Sequence, residues 1–260
     1  PILGVAGAHC LSHPVGGGRD AGGAPLMKDL VEDQEHRWST EVIGADLGLR
    51  LSMAEIRQAA AADGAVGLAG EPGVGCRFFA RQIHRHSRRQ SGPFVEINCH
   101  AIARAQRSRA LFGEEPATGS LFSGPVRGLL EQAHKGTLYL FGAEVLSAQI
   151  RRQLEGVIST RQLKRCNSQV PHPCDVRVIT HVAPADEQQE PLSETFMQRL
   201  ITLPPLRTRI EDIPRLVSYF VEQYCLVLGR TPIPTIDPDS LERLSTYAWP
   251  GNVRELRSLV

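Results

Sequence analysis

The chain has 260 residues, with 29 Lys and Arg against 28 Asp and Glu, a formal charge of +1 at pH 7. Hydrophobic residues make up 42%, charged residues 22% and aromatics 5%, which excludes a disordered chain. No apolar run approaches the roughly 18–20 residues of a membrane-spanning helix, and near-neutrality argues against a dedicated, strongly basic DNA-binding module within these residues.

Six cysteines stand at positions 10, 76, 99, 166, 174 and 225 without a CxxC pair, which reads as reduced thiols and a cytoplasmic location. The opening PILGVAGAHC lacks the basic leader of a signal peptide. A start without Met and an end at Leu259-Val260, inside a helical pattern, lead us to expect a piece of a longer protein.

Residues 1–41 are Gly-rich and then polar, with no sustained period, and read as a linker carrying at most a short helix near Met27–His36. From Leu51 to Ala60 apolar residues recur at helical intervals. A short apolar run, 65–69, ends on glycine as a buried strand does before a loop. Helix is expected again from Arg77 to His86, then strand from Phe94 to Asn98. Thr137–Phe141 reads as a second buried strand, Val145–Ile158 as a helix and Val176–Thr180 as a third strand. Strands alternating with helices predict an α/β core whose parallel sheet is covered on both faces. After Pro204-Pro205 the pattern is helical at 210–227, 240–247 and 251–260. The expected organisation is a linker at 1–41, an α/β core at 42–205 and a small helical lid at 206–260.

Cys166, His172 and Cys174 lie close in sequence, but the stretch offers no fourth ligand, so it reads as a loop between strands and not as a zinc site. The basic run Arg81, His84, Arg85, His86, Arg88 and Arg89 lacks interleaved aromatics and reads as a solvated or interface face and not as a nucleic-acid contact.

Between the strand at 65–69 and the following helix stands Gly70-Glu71-Pro72-Gly73-Val74-Gly75-Cys76-Arg77. This is the G-x-x-x-x-G frame of a phosphate-cradling loop, whose backbone N–H groups and helix N-terminus favour an anion. The next two positions of such a loop are Lys and Ser or Thr, and here they are Cys76 and Arg77. A thiol supplies no ammonium for the phosphates and a guanidinium no hydroxyl for Mg²⁺. Losing one charge-assisted hydrogen bond weakens binding roughly ten- to a hundred-fold.

The run from GEPGVGCRFFARQ through ALFGEE, LLEQAHKGTLYL, DVRVIT, LPPLRTRIEDIPRL and YAWPGNVREL resembles, in collinear order over about 42–260, the central AAA+ domain of sigma-54-dependent transcription activators. The resemblance implies a P-loop-type α/β core with a helical lid and assembly with copies of itself as a ring or dimer. It also implies ATP or ADP at the loop, action on a sigma factor within RNA polymerase, and DNA recognition through a module outside these residues. It places the nucleotide at Gly70–Arg77 with Arg254 of the lid, a ring-interface arginine at Arg199 beside Ser193, and a switch-like asparagine at Asn98. The strand that should end in Asp-Glu ends in Phe141-Gly142, with Glu144 two residues further on, and the sensor asparagine falls at Ala183. The sigma-contact loop falls on 117–122, or in a shifted register on Ser120, Leu121, Phe122, Ser123 and Gly124; neither restores its motif.

No catalytic residue and no metal ligand is therefore assigned, and Mg²⁺ lacks its usual ligands. The expected protein is a regulator of this type whose AAA+ domain has lost hydrolysis and serves as an oligomerising, nucleotide-responsive module. The alternatives are an ATPase that remodels sigma-54 RNA polymerase and a pure oligomerisation scaffold.

Overall fold

The computed structural model of the chain describes residues 42–44, 48–116, 124–182, 193, 195–231 and 233–260. The expected linker, the helix near Met27–His36, Ala183 and the sigma-contact positions Ser120, Leu121, Phe122 and Ser123 lie outside them; Gly124 is described and exposed.

Helix α1 (Arg50–Ala61) buries Ser52, Met53, Ile56, Ala59 and Ala60, the stripe its spacing predicts. Strand β1 (Val66–Ala69) leads through the glycine loop into α2 (Cys76–Arg85), and β2 (Phe94–Asn98) follows. Two short helices, α3 (Arg107–Phe112) and α4 (Leu129–Gln132), precede β3 (Thr137–Phe141) and α5 (Ala148–Thr160). The small hairpin β4 (Gln162–Lys164) and β5 (Pro171–Pro173) comes next, then β6 (Arg177–Val182) and β7 (Arg199–Thr202). The main sheet has the order β2-β3-β6-β1-β7, and every neighbouring pair is parallel.

Alternation along the strands divides the core. Leu138, Leu140 and Val178 pack with Leu130, Leu146, Leu154 and Val157 on one face. Tyr139 and Ile179, paired in register, pack with Met53, Ile56, Phe79 and Ile83 on the other. Each such fully buried aliphatic or aromatic side chain contributes about 1.5–3 kcal/mol.

Helices α6 (Ile213–Leu228), α7 (Pro238–Thr246) and α8 (Asn252–Leu259) form a third core of Leu206, Ile213, Leu216, Val217, Phe220, Trp249 and Leu256. Pro214 near the start of α6 and Gly229 in the left-handed region at its end set its limits. In α7 the Asp237 carboxylate accepts from the Ser240 amide at 3.1 Å, a side-chain N-cap.

Three features depart from the sequence reading. Strand β7 was masked by its edge position, where only Ile201 of four residues is buried. The stretch around Cys166, His172 and Cys174 belongs to the β4–β5 hairpin, whose prolines are tolerated because it is a two-stranded edge. The basic run is not a solvated face at several of its positions. Arg81 donates to Glu96 at 2.8 Å, and His84 is buried against the Thr137 hydroxyl at 3.0 Å. Arg89 bridges Asp63 (2.5 and 2.7 Å) and Asp175 (2.8 Å), which holds the Asp63 carboxyl below its usual range. These charges tie α2 and the residues after it to the sheet.

Candidate functional site

The glycine loop occupies the C-terminal end of β1, between β6 and edge strand β7, and open α/β sheets bind ligands outside the C-terminal ends of their strands. Gly73 has φ +88° and Gly75 φ +111°, a conformation L side chains rarely adopt. The loop also lacks room for side chains, since a Cβ at Gly73 would lie 2.1 Å from the Gly251 carbonyl oxygen. Gly75 then opens α2 without a side-chain cap, the kind of helix start that accommodates an anion.

Cys76 and Arg77 are placed away from that role. Cys76 is buried, with its Sγ toward the Leu68 carbonyl at 4.0 Å, and burial pushes its thiol up to about 12. Arg77 donates through Nε to Glu96 at 2.6 Å.

The lid grips the loop from outside. Arg207 donates to both carboxylate oxygens of Glu71, at 2.7 and 2.6 Å, and Asn252 Nδ2 adds a bond to Glu71 at 3.2 Å. These donors hold the Glu71 carboxyl down to about 2. Asn252 also donates to the Pro72 carbonyl at 3.2 Å and accepts from the Leu206 amide at 2.8 Å. Arg254 meets the loop through its backbone, its N–H donating to the Gly73 carbonyl at 3.3 Å, while its side chain is exposed. Arg209, buried, donates to the Val74 carbonyl at 3.4 Å and pairs with buried Asp212 at 3.5 Å. Burial raises the Asp212 carboxyl and lowers the Arg209 guanidinium. The Asp212 carboxylate fills the space beside Gly44, where a Cβ would come within 2.2 Å of it. Val42, Ile43 and Gly44 then face Pro214, Ser218 and Tyr219 of α6 across an open cleft.

The corner where carboxylates would hold a metal is built differently. Phe141, at the end of β3, packs at a tilt against His181 of β6 at 4.8 Å and against His100 at 5.8 Å between ring centres. His181 is 6% exposed and burial lowers its pKa. Gly142 has φ +77°, and a Cβ there would lie 2.4 Å from His100 Cδ2, so the imidazole occupies the room a side chain would need. His100 Nε2 donates to Glu144 Oε1 at 2.9 Å, so the nearby glutamate is engaged. Asn98 stands next to Phe141 in the sheet register, and its Oδ1 accepts from the His100 amide at 3.0 Å, capping the turn that presents this imidazole. Phenyl, glycine and a paired glutamate do not make the oxygen set a Mg²⁺ ion demands, and the residues present do not fit that ion.

The structure thus brings Gly70–Gly75 together with the backbone of Arg254, and leaves Arg199 elsewhere. Arg199 lies on edge strand β7, its Nη1 donating to Gln58 of α1 at 2.9 Å. Ser193 donates its hydroxyl to Glu155. Sequence reasoning did not single out His100, His181, Arg207 or Asn252. A carboxylate inside an anion-binding loop needs a cation nearby, and that signal pointed to an arginine such as Arg207. The two histidines carry no spacing signal, because they come together only around Phe141, one from the turn after β2 and the other from β6.

Two family descriptions match the chain: "Sigma-54 interaction domain" over residues 42–203 and "AAA+ ATPase lid domain" over residues 207–260. The DNA-binding transcriptional regulator NtrC of Azospirillum brasilense is 39% identical over 204 residues, 75% of this chain and 42% of that protein. The C4-dicarboxylate transport transcriptional regulatory protein DctD of Pseudomonas aeruginosa is 33% identical over 240 residues, 88% of this chain and 51% of that protein. The chain spans about half the length of the curated relatives it matches. Among solved structures, NtrX from Brucella abortus superposes with a TM-score of 0.75 at 29% identity, covering 89% of this chain and 53% of NtrX. Structures of that protein in complex with ADP and with ATP superpose equally well, at 27% identity.

Proposed function

The chain belongs to the sigma-54 interaction domain family, with the AAA+ lid that follows it, and from that premise we propose that it is the central module of a sigma-54-type transcriptional regulator that has kept the nucleotide cradle and lost hydrolysis. The observation that carries this reading is the corner at Phe141 and Gly142. An attacking water needs a base and a metal-polarised phosphate, and here an aromatic ring and an imidazole fill that space.

The cradle supports nucleotide binding. Gly70–Gly75 and the uncapped start of α2 would hold the phosphates, and the cleft lined by Val42, Ile43 and Tyr219 offers an apolar wall for a base. That NtrX is solved with ADP and with ATP on the same fold favours this ligand class. Arg199, exposed on the edge strand, is the residue we assign to contact with a second copy of the chain in a ring or dimer. A sigma factor within RNA polymerase is the proposed partner, with DNA read by a part of the protein outside residues 1–260.

The test is turnover and binding together. Incubated with ATP and Mg²⁺, the purified chain should release phosphate no faster than buffer, while ADP and ATP bind in calorimetric titration. Magnesium-dependent phosphate release that disappears in Arg199→Ala would overturn the loss of hydrolysis. A chain that releases no phosphate and binds no nucleotide would instead be an oligomerisation scaffold.

A further inference from the structure

The lid is tied to the glycine loop at consecutive residues, and most of the ties end on main-chain carbonyls. Asn252 Nδ2 donates to the Pro72 carbonyl at 3.2 Å, the Arg254 N–H to that of Gly73 at 3.3 Å, and Arg209 to that of Val74 at 3.4 Å. The Glu71 carboxylate is held as well, by Arg207 at 2.7 and 2.6 Å and by Asn252 at 3.2 Å. A trans peptide turns its N–H opposite to its carbonyl. Carbonyls fixed toward the lid therefore turn the amides of Gly73, Val74 and Gly75 away from it. The Val74 amide closes a turn within the loop on the Glu71 carbonyl at 3.2 Å. The Gly73 and Gly75 amides have no protein acceptor among the described residues.

Successive backbone N–H groups facing one way make an anion-binding concavity. Glycine has more backbone freedom to lose than any other residue, so a loop left untied would have to be ordered by its ligand, at a cost in affinity. The side chains that follow the loop are engaged elsewhere, Cys76 in the core and Arg77 on Glu96. We infer that the lid sets the anion affinity of the loop from behind: Asn252, Arg209 and the Arg207–Glu71 pair are positioning residues that hold the Gly73 and Gly75 N–H groups ready for the phosphates of a nucleotide. They act through the loop backbone, and Glu71 does so although its own charge opposes an anion. This rests on the nucleotide-binding half of the proposed function and adds to it what shapes the site.

The sign of the Glu71 effect separates positioning from charge. Glu71→Ala removes a negative charge beside an anion site, so electrostatics alone predicts tighter binding, whereas loss of the tie predicts weaker binding. The experiment is calorimetric titration of the whole chain with ADP and with inorganic pyrophosphate, at a temperature where each variant is folded. Both ligands should bind roughly three- to tenfold more weakly to Glu71→Ala and to Asn252→Gly than to wild type. Glu71→Gln, whose amide oxygen still accepts from Arg207, should recover part of the loss. Leu216→Ala, which loosens the lid core without touching the loop, should bind as wild type does. In wild type the amide resonances of Gly73 and Gly75 should shift on saturation with either ligand, while that of Gly229, at the end of α6, stays put. Tighter or unchanged ADP binding in Glu71→Ala overturns the positioning and leaves the nucleotide reading intact. Equal weakening in Leu216→Ala overturns it too, since the ties to the loop would then carry no effect of their own. Pyrophosphate binding without ADP binding overturns the nucleotide reading and leaves the positioning standing, and binding of neither overturns both. Unmoved Gly73 and Gly75 resonances in saturated wild type overturn the inference even if the variants fail to fold.

Discussion

Asn252 is the side chain through which lid and phosphate loop depend on each other, and its replacement by alanine has a cost that can be assembled from the structure. The residue is fully buried and sits at φ +52°. Alanine would leave the buried Leu206 amide without its acceptor, at about 1–3 kcal/mol. It would also lose the donor bonds to Pro72 and Glu71, of which the bond to the partly exposed Glu71 counts for little. A left-handed backbone adds about 1 kcal/mol for a residue with a Cβ and no local polar group to support it. The expected loss is about 3 kcal/mol, or roughly 6–12 °C in Tm for a domain of this size. Thermal unfolding followed by circular dichroism measures it, and hydrogen exchange at the Leu206 amide locates it. Asn252→Gly separates the contributions: it loses the same bonds without the backbone strain, so it should be about 1 kcal/mol milder than alanine. An alanine variant within about 0.5 kcal/mol of wild type with Leu206 still protected, or a glycine variant worse than alanine, would refute the reasoning.

Two further outcomes follow from the same site. The folded Glu71 carboxyl is depressed from 4.5 to about 2 by Arg207 and Asn252, so its contribution is complete above the unfolded value and is lost as pH falls through that window. The stability difference between wild type and Glu71→Gln, measured by urea titration, should be constant from about pH 7 to 5 and shrink toward about pH 3; a difference independent of pH would remove the ion pair from the account. At Gly142, alanine should cost about 1–2 kcal/mol for its left-handed φ, plus a clash with His100. Since the clash partner is a half-exposed imidazole, Gly142→Ala with His100→Ala should be less damaging than the sum of the two single changes. Strict additivity in thermal unfolding would show that the imidazole does not occupy that space.

Much of the frame was legible because it rests on local physics. The strands at Phe94–Asn98 and Thr137–Phe141 stand where their apolar runs placed them, and α2 begins where the glycine loop ends. Edge strand β7 and the proline-bearing hairpin were not legible, since an edge carries no buried alternation and its partners are distant in sequence. The basic run misled for a related reason. Charge composition does not reveal that Arg89 faces Asp63 and Asp175, because those carboxylates come from other parts of the fold.

The sequence by itself determined that the glycine loop is followed by Cys76 and Arg77 and that the strand at Thr137–Phe141 runs into Gly142, because both are statements about residue type at fixed local spacing. Only the tertiary structure decided what surrounds those positions. His181 reaches Phe141 from neighbouring strand β6 and His100 from the turn after β2, and Arg207 and Asn252 reach Glu71 from the lid, across separations of 136 and 181 residues for the latter two. Such contacts are set by strand order and domain packing, which act at distances that no periodicity along the chain records.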